Sequence, residues 1–274
     1  MPLFFCQKIF MSAIQKTHVL NEWMVLFRKL ADSGVFALFL LACIVLTHYA
    51  YPSDARVPRY DFLFMLAIAF QIFLLWTRLE TLPEAVVIMI FHVMAMCMEI
   101  FKTQDAIASW YYPEVFYLGI GKVPLFAGFM YSAVGSAIAR GMRVFEVRLL
   151  KPPRLAYAGV LVALIYMNFF THHYMMNLRW PLFVLALVLY RRTYIQFVLV
   201  ERVRQMPIIW VFAFIACCTW LAENLATFTR VWLYPTQTNG WIVVDWDRLL
   251  AWYLLIQLSF VLVSALLKRK PATY

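Results

Sequence analysis

Two apolar stretches decide the fold of this chain: PEAVVIMIFHVMAMCMEIFKT at residues 83–103 and PIIWVFAFIACCTWLAENLAT at residues 207–227. About 20 apolar residues are enough for a helix to cross the hydrocarbon core of a bilayer. Each stretch also carries a carboxylate near its end, Glu99 in the first and Glu223 in the second. A charge at membrane depth costs about 2.5–3.5 kcal/mol on insertion scales, so such residues usually pair or mark a functional site. The two stretches predict a membrane protein with a polar site.

The composition predicts the same class for the whole chain. Hydrophobic residues make up 65% of the 274 residues and charged residues 14%, whereas soluble domains are about 45–50% apolar and about 25% charged. We predict an all-α, polytopic helical membrane protein with about eight transmembrane helices. Arg191 and Arg192 interrupt the sixth, so both side chains would have to reach an interface. The approximate ranges are 34–51, 61–76, 83–101, 123–139, 155–171, 180–200, 207–226 and 249–267.

The net charge of +10 follows this topology. In a soluble protein such an excess suggests nucleic acid, but here we expect no nucleic-acid partner. With both termini in the cytoplasm, seven of the 24 Lys and Arg residues lie outside and the other 17 lie in cytoplasmic segments. This is the asymmetry that the positive-inside rule describes. The seven outer residues are Arg56, Arg59, Lys102, Lys122, Arg179, Arg230 and Arg248.

The chain is expected to divide into five segments. Val19, Trp23 and Phe27 fall at helical spacing within residues 18–31, which predicts an interfacial helix on the inner leaflet. The predicted segments are a cytoplasmic interfacial N-terminal segment at 1–33, a first four-helix half at 34–139, a basic cytoplasmic linker at 140–154, a second four-helix half at 155–267 and a cytoplasmic tail at 268–274.

The two halves show an internal repeat at a constant offset of 124 residues. The matches fall on residue types that are scarce in this chain, which has only five histidines. Each half would hold four helices, so the halves would have the same orientation and form a parallel repeat. The aligned pairs include His48 with His172, Arg78 with Arg202, Pro83 with Pro207, and Glu99 with Glu223.

The repeat predicts one composite site. Glu99 lies 16 residues beyond Pro83, or about 24 Å along a helix that rises 1.5 Å per residue. Glu223 would lie at the same depth, and the aromatic segments that follow each helix would lie just outside. We therefore expect the site to lie in the outer third of the membrane. Its predicted substrate-binding residues are Trp110, Tyr112, Trp232, Tyr234, Lys102 and Asn224.

Glu99 and Glu223 are the predicted catalytic residues. They could act as general acid and base in a dry cavity, or as metal ligands. In the structural alternative they only bond neighbouring helices or pair with cations, Lys102 for Glu99 and Arg230 for Glu223. His92 lies two turns before Glu99 and either extends the polar track inward or is a satisfied interior histidine.

Three further histidines are candidate metal ligands. His48, His172 and His173, with the two glutamates, would offer nitrogen and oxygen donors for a divalent metal such as zinc, iron or manganese. The chain contains no HExxH spacing. The alternative is that these histidines lie at the membrane interface and bond headgroups, water or backbone.

The WYYP segment at 110–113 and the WLYP segment at 232–235 each combine Trp, Tyr and Pro. As structural elements they would be interfacial anchors with a turn fixed by proline. As functional elements they would cap the cavity and stack on an apolar ligand. The two roles are compatible.

Several motifs resemble a known family. FFTHHYM, AENLATF, VWLYPTQ with the later Trp241, and VPLFAGFMYSAVGS resemble the YoaT family of bacterial integral membrane proteins, over about residues 76–269. That resemblance implies a helical fold in the bacterial cytoplasmic (inner) membrane and transfers no catalytic residues. EIFKT with its following YP loop is also similar to membrane-bound carotenoid hydratases and cyclases, in which a glutamate on an apolar helix precedes a comparable loop.

Three functions remain open at this point. The first is a membrane-embedded enzyme that acts on a lipid or isoprenoid-like substrate, with membrane lipids and a lipid-like small molecule as partners. The second is a small proton- or cation-coupled transporter. The third is a non-catalytic partner subunit whose aromatic loops form an interface. The sequence specifies neither the substrate nor the oligomeric state, and a divalent metal is the one cofactor considered.

Overall fold

The computed structural model describes residues 21–266, so residues 1–20 and the predicted tail at 268–274 lie outside the described residues. The described chain is mainly helical, with short strands between some helices. The helices are α1 (Asn21–Ser33), α2 (Val35–Ala50), α3 (Arg59–Trp76), α4 (Leu82–Lys102), α5 (Phe126–Val144), α6 (Leu155–Thr171), α7 (Arg179–Tyr190), α8 (Ile208–Phe228) and α9 (Trp246–Leu266). The strands are β1 (Gly119–Ile120), β2 (Val123–Pro124), β3 (Arg148–Leu150), β4 (Tyr194–Leu199) and β5 (Arg202–Pro207).

Four helices within residues 21–266 are long and apolar enough to cross a membrane: α3, α4, α8 and α9. Helices α1 and α2 together make a fifth candidate, although a bend of 73° separates them. Helices α6 and α7 are apolar but shorter. The described chain therefore has four to five candidate membrane spans, and the prediction of about eight is not established by the helix lengths.

The predicted sixth span at 180–200 is wrong in its second half. Helix α7 ends at Tyr190, and its 12 residues cover about 18 Å at 1.5 Å per residue, short of the hydrocarbon core of about 30 Å. The following segment TYIQFVLV is rich in β-branched and aromatic residues, which favour a strand. It forms β4, the central strand of an antiparallel sheet with the order β3-β4-β5. Hydropathy alone does not distinguish this strand from a helix.

Helix α1 lies against that sheet. Arg202 and Arg204 of β5 both contact the carboxylate of Glu22, at 3.3 and 2.8 Å. The ammonium of Lys29 donates to the carbonyl of Val198 at 3.0 Å. Trp23 and other large apolar side chains of α1 are exposed. These contacts hold α1 against the sheet. Helix α1 is the described part of the helix that the sequence predicts at the membrane interface.

The helices form two groups. Helix α4 packs along α5, with α2 and α3 also against α5. Helix α8 packs along α9, with α6 and α7 also against α9, and α5 and α9 contact each other. A Cβ atom at Gly128 would lie 2.5 Å from His92 Nδ1, so glycine permits the close approach of α5 to α4.

A set of ionic contacts holds the beginning of α4. The side chain of Glu84 bonds the backbone N–H of Thr81, completing a capping box. Arg143 of α5 donates to Glu84 at 2.9 Å, and Arg140 and Arg143 both donate to the carbonyl of Leu79 just before α4. These contacts fix the register of α4 on α5 and with it the position of Glu99.

Candidate functional site

Glu99 is the first centre of the site. It lies one turn before the end of α4 and is 2% exposed. Three neutral groups donate to its carboxylate: Trp110 Nε1 at 2.7 Å, the hydroxyl of Tyr112 at 2.8 Å and the hydroxyl of Tyr131 at 2.7 Å. Two of these donors come from the segment that follows α4, and the third comes from α5.

Glu223 is the second centre, near the end of α8, and is 5% exposed. The hydroxyl of Tyr234 donates to its Oε1 at 2.5 Å. Trp252 Nε1 of α9 donates to its Oε2 at 2.8 Å. Each glutamate thus receives at least one donor from the segment after its own helix and one from the next long helix.

The donors of the two glutamates touch each other. The rings of Trp110 and Tyr234 meet edge to face at 6.2 Å, and those of Tyr131 and Trp252 lie 5.8 Å apart. The two aromatic segments also pair as an antiparallel bridge, in which Tyr111 and Leu233 exchange backbone hydrogen bonds of 3.0 and 2.9 Å. The structure therefore brings Glu99 and Glu223 into one buried polar cluster, which we call the carboxylate cluster.

The electrostatics of the carboxylate cluster are those of buried acceptors with neutral donors. In the described part of the chain no cation pairs with Glu99 or Glu223. Burial, reinforced by the adjacent glutamate, raises the pKa of Tyr112 and of Tyr234 well above the usual range. Both phenols therefore keep their protons and act as donors at physiological pH.

An apolar cavity of about 30 Å³ adjoins the cluster between α4, α5 and α9. Tyr131 and Trp252, which donate to the two glutamates, line it together with Phe91, Met98 and Leu255. Because the polar tips of Tyr131 and Trp252 are bonded to carboxylates, their rings face the cavity as apolar surface. The cavity has room for a small apolar group beside these two aromatic donors, which lie between it and the acids.

Lys102 forms a second polar group beside the cluster, although it ends the same helix as Glu99. Its ammonium is 2.6 Å from His173 Nε2 and 3.4 Å from His172 Nε2, and lies 4.2 Å from the ring centre of Phe169. The other ring nitrogen of His172 bonds the carbonyl of Asn168 at 2.8 Å. Lys102 is 2% exposed and is not the ion-pair partner that the structural alternative assigned to Glu99.

The two histidines are held in their neutral form. Burial lowers the pKa of His173 to about 4, and the charge of Lys102 acts in the same direction. Burial also lowers the pKa of His172, with a further contribution from Lys102. Neutral imidazoles can accept hydrogen bonds from the ammonium, as the distances indicate.

The histidines do not fit a metal centre. Within residues 21–266 no group of three or more His, Cys, Asp or Glu side chains is placed to hold a metal ion. The Nε2 atoms of His172 and His173 face the ammonium of Lys102, a position that a metal cation would have to share with a like charge. His48, on α2, packs against the ring of Tyr49.

The remaining predicted residues have structural contacts. Asn224 accepts from the backbone N–H of Val244 and donates to the carbonyl of Trp220, and so fixes the segment before α9. Trp232 is partly buried between two hydrophobic clusters. His92 packs edge to face on Phe129, and its buried Nδ1 has no hydrogen-bond partner within the described residues.

Sequence reasoning missed two donors, Tyr131 and Trp252. Both lie on predicted membrane helices, where an aromatic residue is normally assigned to packing. The available signal was positional, because Tyr131 falls within VPLFAGFMYSAVGS and both residues lie near the beginning of the helix that follows a glutamate-bearing helix. Sequence reasoning also did not place Arg248 at the site. Its guanidinium lies 4.6 Å from the ring centre of Tyr234, the tyrosine that donates to Glu223.

Comparison with known proteins places the chain among sequences without an assigned activity. A family model described as a protein of unknown function, DUF817, matches residues 22–260. A protein of Bacillus subtilis (strain 168) named "Uncharacterized protein YoaT" is 37% identical over 210 residues, which cover 77% of this chain and 79% of that protein. No solved structure matches the chain.

Proposed function

Since this chain belongs to the DUF817 family of proteins of unknown function, we propose its activity from the geometry of the carboxylate cluster. We propose a membrane-embedded enzyme that acts on a lipid or isoprenoid-like substrate, with Glu99 and Glu223 as its acid and base. The single observation that carries this proposal is the pair of buried carboxylates, bonded only by neutral donors, beside an apolar cavity.

The proposed topology is that of two parallel four-helix halves, α2–α5 and α6–α9, in the bacterial inner membrane with both termini in the cytoplasm. The order of the helices supports it, because α4 and α8 each carry the glutamate and each pack along the next long helix. In each half the glutamate also bonds a tyrosine from the segment that follows its helix. The short α7 would be an incomplete counterpart of α3.

The proposed chemistry is a proton transfer within an apolar substrate. One carboxyl group donates a proton to a carbon of a double bond, and the other carboxylate removes a proton from a neighbouring carbon. The net charge of the pair is unchanged, and the substrate needs no oxidant, reductant or added group. A site that excludes water favours this step, because no bulk water competes with the fixed acid and base for proton transfer to and from the substrate.

The proposed test uses the isosteric variants Glu99→Gln and Glu223→Gln, with the exposed Glu201→Gln as a matched control. Each variant is expressed in a bacterial strain that lacks its own copy of the gene, and washed membranes from cells grown in ordinary water, which no longer synthesise lipids, are incubated in deuterated water. Lipid extracts are compared by mass spectrometry. We expect a lipid that gains deuterium with the wild type and with Glu201→Gln, and that is absent with either site variant. Identical lipid profiles for wild type and folded Glu99→Gln would overturn the proposal.

A second candidate function is a proton-coupled transporter, which one observation favours. Polar groups continue along the α4–α5 interface from His92 through Ser132 to the buried pair formed by Ser136 and Glu80. Such a line is what a proton path between the two sides of a membrane would require. In liposomes loaded with a pH-sensitive dye, a transporter would move protons in the wild type and lose that flux in Glu80→Gln. An enzyme without transport would show no flux above empty liposomes.

A further inference from the structure

The Lys and Arg residues that the sequence predicts on the outer side of the membrane differ in whether a carboxylate pairs with them. Arg59 pairs with Glu114 at 2.6 Å, and Lys122 forms an ion pair with Asp105. Lys102, in contrast, has no carboxylate within ion-pair distance among the residues described, and its direct partners are two imidazoles. One buried cation beside the carboxylate cluster therefore lacks an acidic partner.

The residues around Lys102 place two more cations near it. The ammonium of Lys102 lies over the ring of Phe169, which packs against the aromatic cluster that contains Tyr234. Arg248, at the beginning of α9, lies over the ring of Tyr234, and its charge acts on His172. Arg179, at the beginning of α7, also acts on His172. It donates to the backbone carbonyl of Asp247 at 3.2 Å, and the carboxylate of Asp247 lies 3.7 Å from it. The carboxylate of Asp247 is itself 67% exposed, so water screens much of its charge.

The three cations come from separate parts of the chain. Lys102 ends α4, Arg179 begins α7 and Arg248 lies in the first turn of α9. Like charges held together in a partly desolvated place repel each other, and a bound anion would offset that repulsion. Asp245 and Asp247 offset part of the repulsion at Arg179, whereas no described carboxylate lies within ion-pair distance of Lys102. A bound anion would therefore be favourable mainly at Lys102.

We propose that Lys102, Arg179 and Arg248, together with His172 and His173, bind the phosphate group of an amphiphilic ligand. Three cations and two imidazoles match an anion that carries several oxygens and more than one charge, and guanidinium groups suit the geometry of phosphate. The aromatic cluster of Trp110, Trp220 and Tyr234 lies next to two of these cations, because Arg248 lies over Tyr234 and Lys102 lies over Phe169, which packs against the cluster. Apolar surface and cations side by side favour a ligand with a phosphate at the end of an apolar chain.

The contacts of Lys102 indicate how the phosphate binds. Its ammonium exchanges neutral imidazole acceptors for phosphate oxygens, which is favourable because hydrogen bonds between ionised partners are the stronger ones. His172 and His173 can then take up protons and donate to the same anion. The location of the apolar chain in the cavity beside Tyr131 rests on the proposed function, whereas the phosphate site itself does not.

The test measures binding of decyl phosphate to the detergent-purified full chain by isothermal titration calorimetry. Decanol serves as the same chain without the phosphate, and inorganic phosphate as the same group without the chain. We expect one decyl phosphate per protein chain and binding at least about tenfold weaker for decanol and for inorganic phosphate. Arg248→Gln and Arg179→Gln should each weaken decyl phosphate binding about tenfold or more, which corresponds to about 1.4 kcal/mol. Arg56→Gln, an exposed cation elsewhere on the predicted outer side, is the matched control and should bind like wild type.

Two results would overturn this inference. One is equal affinity for decyl phosphate and decanol, and the other is unchanged affinity in both folded arginine variants. If inorganic phosphate binds as tightly as decyl phosphate, the site binds free phosphate, and the inference that the ligand is an amphiphile is wrong. Because the measurement needs no turnover, a chain that binds decyl phosphate but changes no lipid would retain this inference and overturn the proposed function.

Discussion

The two carboxylates differ in how many groups hold them, although they occupy corresponding places on α4 and α8. Glu99 accepts three hydrogen bonds, from Trp110, Tyr112 and Tyr131. Glu223 accepts two, from Tyr234 and Trp252. The tyrosine in the segment after each helix, Tyr112 or Tyr234, donates to the glutamate of that helix. The tryptophans two residues before them differ, because Trp110 donates to Glu99 whereas Trp232 donates to neither glutamate. One scaffold thus holds one acid more tightly than the other, as a pair that divides the tasks of acid and base would require.

The largest effect should come from the two tryptophans that occupy matching positions, Trp110 and Trp232. Trp110→Phe removes a donor from a buried carboxylate, so we expect a loss of unfolding free energy of about 1.5–3 kcal/mol. Trp232→Phe removes no donor from either glutamate, only its side-chain hydrogen bond to Tyr234, and should cost less than about 1.5 kcal/mol. Chemical denaturation in detergent, followed by far-ultraviolet circular dichroism, measures both. Equal losses in the two variants would remove the asymmetry between the sites.

The loss of unfolding free energy should differ less between Tyr112→Phe and Tyr234→Phe, and here the larger loss should be on the Glu223 side. Tyr112→Phe leaves Glu99 with two donors, whereas Tyr234→Phe leaves Glu223 with one. A buried acceptor that loses most of its partners is penalised more, so Tyr234→Phe should exceed Tyr112→Phe by about 1 kcal/mol in lost unfolding free energy. The same denaturation experiment compares them. A larger loss for Tyr112→Phe would mean that counting donors does not describe the cluster.

The smallest expected effect is on how the unfolding free energy depends on pH. It involves Lys102, which follows Glu99 on α4 and has no cationic counterpart after Glu223 on α8. Burial and Lys102 hold the pKa of His173 at about 4, below its ordinary value of 6.5. The unfolded chain therefore binds more protons between these pH values, and unfolding free energy falls as pH is lowered from about 6.5 toward 4. Above 6.5 the contribution of His173 is fully present.

Lys102→Met tests the cause of this shift. Removing the ammonium should raise the pKa of His173 toward its ordinary value, so the loss of stability between pH 6.5 and 4 becomes shallower. Ala226 takes the place of Lys102 at the corresponding position after Glu223, and Ala226→Ser is a control that should leave the pH profile unchanged. A profile that is the same with and without Lys102 would show that its charge does not act on His173.

Much of the carboxylate cluster was visible in the sequence because its members are unusual where they occur. Glu99 and Glu223 interrupt apolar stretches, and Tyr112 and Tyr234 follow them at nearly the same distance. Tyr131 and Trp252 were not visible, since an aromatic residue on an apolar helix has the same hydropathy whether it faces lipid, core or a carboxylate. Lys102 and His173 are 71 residues apart, and no spacing rule connects positions so distant.

The fold shows a similar division. Length and hydropathy placed most helices correctly, because a run of apolar residues bounded by charge or proline has few alternatives in a membrane protein. They failed after Tyr190, where β4 is as apolar as a helix but is built from residues that favour strands. The pairing of β4 with β5 depends on contacts between residues, which hydropathy does not contain.

If Glu99 of α4 and Glu223 of α8 belong to one site, the segments that follow these two helices must lie together, and a disulfide between the segments tests this most directly. Tyr111 and Leu233 exchange both backbone hydrogen bonds, a pairing that places Cα atoms about 5.5 Å apart, within the usual range for a disulfide. In Tyr111→Cys/Leu233→Cys, mild oxidation followed by peptide mass spectrometry should reveal one cross-linked peptide pair, and each single variant should lack it. The exposed pair Tyr111→Cys/Ile242→Cys is the control for random encounter. Absence of the 111–233 link in folded protein, or equal linkage in the control pair, would contradict the account.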